Sequence, residues 1–211
     1  MKLVSIIIPF VRDRGYLQQA IDSATRQNYA NVEIILSQSD QGVSYNLNRG
    51  IEKATGEYIK YLCDDDMLPI DAIQKSIQAI TSQPGCLALH GKATNFWANG
   101  SQLEHEPRIK AGITLKDMLS KNHMHGGSLM WHRSVFDIVG LFDETLWTGE
   151  EFEFNLRCLA NGINYAYCDS PVYLYRKHTG QKSDKQHKQK RISAIKAIKE
   201  MYRIPITNVV S

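Results

Sequence analysis

The chain has 211 residues, of which 43% are hydrophobic and 22% charged, and its 25 Lys+Arg against 22 Asp+Glu leave a formal charge of +3. That length and composition exclude a fibrous, collagen-like or largely disordered chain, and they supply a core that needs no disulfide or metal staple. A charge of +3 is not the footprint of a nucleic-acid binder, and no window approaches the ~20 apolar residues of a membrane span.

Residues 3–8 form an apolar run rich in β-branched residues, the pattern of a strand buried on both faces of a parallel sheet. A signal peptide fits less well, because Pro9 and Arg12-Asp13-Arg14 end the run and no small-residue cleavage site follows. Leu17, Ala20, Ile21 and Ala24 repeat at helical spacing within 16–27. Residues 32–36 (VEIIL) read as a second buried strand. Val43, Leu47, Ile51 and Ala54 mark a helix over 42–55, and after Gly56 the stretch 58–63 (YIKYLC) reads as a third strand. This order predicts a right-handed βαβαβ unit with a parallel sheet.

Asp64-Asp65-Asp66 follow that third strand. Pro69 is expected to open a helix with Ile70, Ile73, Ile77 and Ile80 on one face, closed by Pro84-Gly85. Beyond it the pattern predicts a strand over 86–90 and a hairpin of 93–98 with 102–106 around Asn99-Gly100. A short helix over 114–121, a strand over 128–131 after Gly126-Gly127, and a helix over 150–159 come next. Short strands over 165–168 and 172–175 follow, and a basic amphipathic helix over 185–203 carries Ile192, Ile195, Ile198 and Tyr202 on its apolar side. The alternation is strict to about residue 90 and irregular after it. The chain therefore reads as one α/β domain with halves 1–90 and 91–180 and a basic C-terminal segment 181–211. Cys63, Cys86, Cys158 and Cys168 form no CxxC pair, which suits reduced thiols in a cytoplasmic protein.

Three adjacent carboxylates at the carboxyl end of a strand repel and raise one another's pKa values. A hard divalent cation, Mg²⁺ or Mn²⁺, relieves that repulsion, at the place where open α/β sheets bind ligands. The competing reading is a solvated acidic turn before the helix at Pro69, with Asp66 near its N-cap. Glu150, Glu151 and Glu153 are likewise either an ordinary acidic first turn or the seat of an ionised base. Lys182, Lys185, Lys188, Lys190, Arg191, Lys196 and Lys199 outnumber Asp184 and Glu200. They suit either peripheral contact with an anionic membrane or a docked helix with solvated lysines.

Several stretches together resemble the family 2 glycosyltransferases of the GT-A fold. They are Val4-Ser5-Ile6-Ile7-Ile8-Pro9, Val32-Glu33-Ile34-Ile35-Leu36, Asn48-Arg49-Gly50-Ile51 with Ala54-Thr55-Gly56-Glu57-Tyr58-Ile59, and Leu62-Cys63-Asp64-Asp65-Asp66. Gly126-Gly127-Ser128 with Phe142-Asp143-Glu144, Gly149-Glu150-Glu151-Phe152 with Arg157, and Tyr173-Leu174-Tyr175-Arg176-Lys177-His178 continue the likeness in order to about residue 180.

The resemblance implies a Rossmann-like single domain with a mostly parallel sheet, in which 1–90 binds nucleotide and 91–180 holds the acceptor and the catalytic group. It implies transfer of a sugar, with inversion, from a nucleotide-diphosphate sugar, UDP foremost. The acceptor would be a hydroxyl of a glycan or lipid-linked glycan, the metal Mn²⁺ or Mg²⁺, and the place the cytoplasm or the inner membrane face. Asp65 falls at the main metal-ligand position and Asp64 at the ribose. Asp66 belongs to the metal group as a ligand or its support, and Pro9 and Phe10 fall at the base. Glu151 falls at the catalytic base, Arg176 at the diphosphate, and His178 at the diphosphate or the metal shell. His125 and Trp147 are candidates for the acceptor side, each against a bland alternative, a solvated loop histidine and a packed tryptophan. The family's aspartate for the base is Ser39 here, with Asp40 one place later as its candidate substitute. That departure keeps a second reading open, a relative that binds nucleotide or glycan with little or no turnover. A receiver-type phosphoacceptor domain is set aside because Pro9-Phe10-Val11 stands where its acidic pair belongs.

Overall fold

A computed structural model describes residues 1–105, 107, 110–181 and 185–203. Glu106 of the predicted hairpin, and Lys182, Asp184, the side chain of Lys185 and 204–211 of the basic segment, lie outside the described residues. The βαβαβ unit is present as β1 (Val4–Phe10), α1 (Leu17–Thr25), β2 (Val32–Gln38), α2 (Val43–Lys53) and β3 (Tyr58–Tyr61). Then follow α3 (Ala72–Thr81), β4 (Cys86–Trp97), β5 (Gln102–His105), α4 (Leu115–Ser120), β6 (Met130–His132) and α5 (Ser134–Val139). The chain continues with α6 (Glu150–Ala160), β7 (Asn164–Lys177) and α7 (Lys188–Arg203).

The sheet runs β2-β1-β3-β6-β4-β5, with β7 paired to β4. β1 is parallel to β2 and β3, and β4 to β7, while β6 lies antiparallel between β3 and β4 and β5 returns antiparallel on β4. Five strands thus share one direction, and the sheet is mostly parallel. Alternation along β1 feeds a core on each side. Val4, Ile6 and Ile8 meet Ala20, Ala24 and Ile73, and Ile7 meets Leu47, Ile51 and an aromatic group around Trp131 and Phe154. Trp131 is wholly buried there, stacked on Tyr61 with centroids 6.1 Å apart.

Motif residues hold this frame together. Asn48 caps a distant loop through its side chain, donating to the Phe142 carbonyl at 3.0 Å and to Glu144 at 2.7 Å and accepting from the Phe142 N–H at 3.0 Å. Glu33 accepts from Ser5 Oγ (2.5 Å), Thr55 N–H (2.6 Å) and Gly56 N–H (3.0 Å), tying β1 and β2 to the entry of β3.

Four expectations are corrected. β2 is an edge strand and not a buried one, so Leu36 is exposed. α3 begins after Asp71, and Ile70 lies 64% exposed outside its apolar face. The cause is a bridge of Met67 to Leu174 (N–H to carbonyl 3.0 and 2.9 Å), which keeps the chain before α3 pinned to β7. The two predicted strand pairs at 86–98 and 165–175 are two long strands, because Gly91 and Pro171 sit at register shifts inside a continuous parallel pairing. Helix α5 has no counterpart in the predicted elements. Among the described residues no helix is long and apolar enough to cross a membrane.

Candidate functional site

β1 and β3 end side by side, and a cavity of about 430 Å³ opens beyond their carboxyl ends. It is lined by Pro9, Phe10 and Arg14 after β1, by Asp64, Asp65 and Asp66 after β3, and by Glu150 and Glu151 of α6. Six of the predicted site residues therefore converge: Pro9, Phe10, Asp64, Asp65, Asp66 and Glu151.

The three aspartates are buried, none more than 9% exposed, which is not the arrangement of a solvated turn. Each is held differently. The Arg14 guanidinium donates to Asp64 Oδ1 at 3.0 Å and to Asp65 Oδ2 at 2.8 Å. Asp66 spends both oxygens on the protein, accepting from the Tyr173 hydroxyl at 2.7 Å and the Arg176 N–H at 2.8 Å. Burial raises the Asp64 carboxyl against the opposing pull of Arg14. Burial and then the neighbouring Asp65 charge raise Asp66 well above the usual carboxylate range. Burial opposes the charge of Arg14, yet Asp65 and Asp64 outweigh it and raise its pKa. The Cys63 thiol is pushed up by burial and then by Asp66 and Asp65, so it stays protonated.

His178 reaches this group from the end of β7. Its Nε2 lies 3.1 Å from Asp65 Oδ2, and its Nδ1 lies 2.7 Å from the Thr179 carbonyl. A carbonyl only accepts, so Nδ1 carries a proton, and in neutral imidazole the Nε2 lone pair faces the Asp65 carboxylate. Two acceptors at that distance are stabilised by a proton or a cation shared between them. A histidine oriented through its other nitrogen is also how ligating imidazoles are held. Ligand atoms of Cys63, Asp65 and Asp66 lie within 4.8 Å of one another. The donor set fits a hard divalent cation through the aspartate oxygens and His178, with Cys63 a poor partner as a thiol.

The other predicted residues stand elsewhere. Arg176 is sandwiched between the rings of Tyr16 (4.6 Å) and Phe96 (4.7 Å), with Nε donating to the Asp65 carbonyl at 2.8 Å and Nη2 to Gln19 at 2.8 Å. It fastens the acidic loop and is not among the residues that line the cavity, whereas Arg14 is. Asp40 is exposed, with Gln41 donating to it at 3.1 Å, and is not a cavity residue. Ser39 turns inward to Asn46 at 2.6 Å, while Asn46 donates to the Phe10 carbonyl at 2.9 Å, so the hydroxyl is used within the fold. His125 packs its ring behind the cavity wall, against the lining residue Tyr175 (5.2 Å) and against Tyr173 (5.7 Å), and burial lowers its pKa to about 3. It is neither a solvated loop histidine nor a lining residue. Trp147 is covered by α7, with Lys190 Nζ 3.8 Å above its ring.

Sequence reasoning missed Arg14, read only as the charged end of an apolar run, and Lys60. Lys60 is wholly buried in β3, where its ammonium donates to the carbonyls of Gly127 and Leu129, the latter at 3.0 Å, and burial lowers its pKa to about 7. A lysine in an apolar strand pattern with no local partner was the available signal.

The Gly126-Gly127 pair makes room for both sides of the site. A Cβ on Gly126 would stand 2.5 Å from Glu151 Oε1, and one on Gly127 would stand 2.1 Å from the Tyr173 ring. Tyr173 in turn holds Asp66 and accepts from the Cys63 N–H at 3.2 Å. On the role proposed below for Glu151, Gly126→Ala is expected to displace its carboxylate and cut kcat about tenfold or more, with a small change in melting temperature. Gly127→Ala overpacks a buried ring and is expected to cost about 1–3 kcal/mol of stability. Thermal melts beside steady-state kinetics separate the two effects, and the opposite pattern would undo these assignments.

The sequence pattern of Glycosyl transferase family 2 matches residues 35–139. An uncharacterized glycosyltransferase of Rickettsia felis is 28% identical over 189 residues, covering 74% of this chain and 31% of that protein. The uncharacterized glycosyltransferase EpsJ of Bacillus subtilis is 25% identical over 215 residues, covering 83% and 61%. The chain thus spans less than two thirds of either relative. The crystal structure of S. aureus TarS 1–349 in complex with UDP-GlcNAc superposes with a TM-score of 0.68 at 16% identity, covering 85% of this chain and 60% of that one. At that identity the likeness is one of fold.

Proposed function

We propose that the chain is a glycosyltransferase of family 2, whose sequence pattern matches residues 35–139, and that it transfers a sugar from UDP to a hydroxyl of a glycan or lipid-linked glycan, inverting the anomeric centre with the help of Mn²⁺ or Mg²⁺. The observation that carries this reading is that the buried aspartates after β3 and the Glu151 carboxylate of α6 line one cavity. UDP as the nucleotide rests on TarS, whose structure holds UDP-GlcNAc.

In this reading Pro9 and Phe10 face the base and Asp64 the ribose hydroxyls, while Arg14 lies beside the diphosphate. The acceptor oxygen attacks C1 of the donor sugar from the face opposite the diphosphate, the C1–O bond to the β-phosphate breaks, and the acceptor proton passes to Glu151. In-line displacement inverts C1. Asp65 and His178, backed by Asp66, would hold the divalent cation, which when bound neutralises charge on the departing diphosphate. The α6 N-terminus, opened by Gly149 in a left-handed conformation (φ 84°), favours Glu151 as the carboxylate a base must be. Ser39 in place of an aspartate predicts a weaker grip on the base, which is what supports the second reading of binding without turnover.

Screening UDP, ADP, GDP and CDP by thermal shift with and without Mn²⁺ tests the donor. UDP with Mn²⁺ is expected to raise the melting temperature by several degrees, since saturation at 100 times Kd is worth about 2.7 kcal/mol. Stabilisation by another nucleotide would replace UDP, and stabilisation by none would remove the donor site. The basic helix is also a proposed peripheral membrane contact, electrostatic in kind. Salt-insensitive or absent binding to anionic liposomes counts against it.

A further inference from the structure

A second groove, of about 780 Å³, runs between the start of α6 and α7 and shares Thr148, Glu151 and Arg191 with the donor cavity. The helix that walls it is docked on the domain. Ile198 is buried, a Cβ on Gly149 would stand 3.0 Å from Ile195 and Ile198, and the Tyr202 hydroxyl donates to Glu153 at 2.5 Å. Ile192, expected on the same apolar side, is instead half exposed and lines the groove.

The groove is charged on one wall and apolar on its floor. Among the described residues that line it, the cations are Lys188, Arg191, Lys196, Lys199 and Arg203 and the carboxylates are Glu151 and Glu200. Two of these cations are used within the fold, Lys199 on the Ser120 carbonyl at 3.1 Å and Arg203 on Glu200 at 2.8 Å. Lys188 and Lys196 are exposed. Arg191 Nε is buried and has no hydrogen-bond partner among the described residues. A buried guanidinium N–H without an acceptor is costly, and it marks a position suited to an anion. Phe152, Ile192 and Ile195 supply the apolar surface between the cations.

We infer that this groove binds the acceptor, and that the acceptor carries a phosphate ester on an apolar stem. A phosphate with nearly two charges matches a cluster of one arginine and two lysines better than a neutral sugar does, and the stem matches the floor. The inference rests on Glu151 as the base, because that carboxylate lines both the groove and the donor cavity, where a hydroxyl of a bound acceptor would meet it.

Isothermal titration of the whole chain with dodecyl phosphate, inorganic phosphate and neutral dodecyl maltoside, each with and without saturating UDP, tests it. Dodecyl phosphate is expected to bind at least tenfold tighter than either other probe, and to do so with UDP present. The double variant Lys188→Glu/Lys196→Glu is expected to weaken it tenfold or more while leaving UDP affinity within twofold. Absent binding, equal binding by the maltoside or by the double variant, or displacement by UDP would each overturn the inference. Dodecyl phosphate behaving as expected in a protein that does not bind UDP would uphold the groove and overturn the donor reading instead.

Discussion

Asp65→Asn is expected to lower turnover by about 10²–10³-fold, the range seen when one preorganised stabilising group is removed from developing charge, while the fold survives. Asp65 is where Arg14 and His178 meet, at 2.8 and 3.1 Å from the same oxygen. Its loss removes the main oxygen ligand of the proposed metal group. The structural cost is small, because Arg14 keeps its bond to Asp64, and one of three crowded carboxylates is neutralised. A melting temperature equal to or above that of the wild type is therefore expected beside the lost activity. Chelation of wild-type protein should reproduce the loss, with recovery on adding Mn²⁺ or Mg²⁺. Activity within tenfold of wild type in Asp65→Asn would show that no metal is held there.

Glu151→Gln is expected to reduce kcat by about 10²–10⁴-fold, the usual contribution of a positioned base, with UDP affinity unchanged. The change keeps the size of the side chain and its seat against Gly126, so only proton acceptance is lost. The acidic limb of the kcat/KM profile should disappear with it. Two neighbours serve as controls. Glu150 lines the same cavity, so retained turnover in Glu150→Gln assigns the proton to Glu151. Glu153 is buried and bound to Arg157 at 3.0 and 2.8 Å, and Arg157 also donates to the Val139 and Leu141 carbonyls. Glu153→Gln should therefore lower stability and leave the pH profile in place. Equal kcat in Glu151→Gln and wild type would remove Glu151 from the chemistry.

Part of this site is legible along the chain. Pro9, Phe10 and the aspartates follow apolar strands directly, and the place of a strand's end is written in the run of residues that precedes it. Glu151 is legible for the same reason, at the start of a helix with a clear apolar repeat. Arg176 and Asp40 show where that legibility ends. Their positions in the chain match a pattern, but the Arg176 guanidinium is captured between Tyr16 and Phe96, rings some 160 and 80 residues earlier, and Asp40 turns to solvent because Ser39 takes the inward place. Arg14 carried no pattern at all and became the cation of the acidic pair.

By itself the sequence determined the parallel βαβαβ unit and the acidic group at the end of its third strand. These are properties of residues adjacent in the chain or one turn apart, where periodicity and backbone sterics act. Tertiary structure decided which strand became an edge, which arginine faces the cavity, that His178 stands beside Asp65 across 113 residues, and that a basic helix walls a groove at Glu151. Those outcomes depend on β7 pairing with β4 and on the bridge from Met67 to Leu174. Such contacts form only after distant segments have met, and local sequence places no constraint on which of them will.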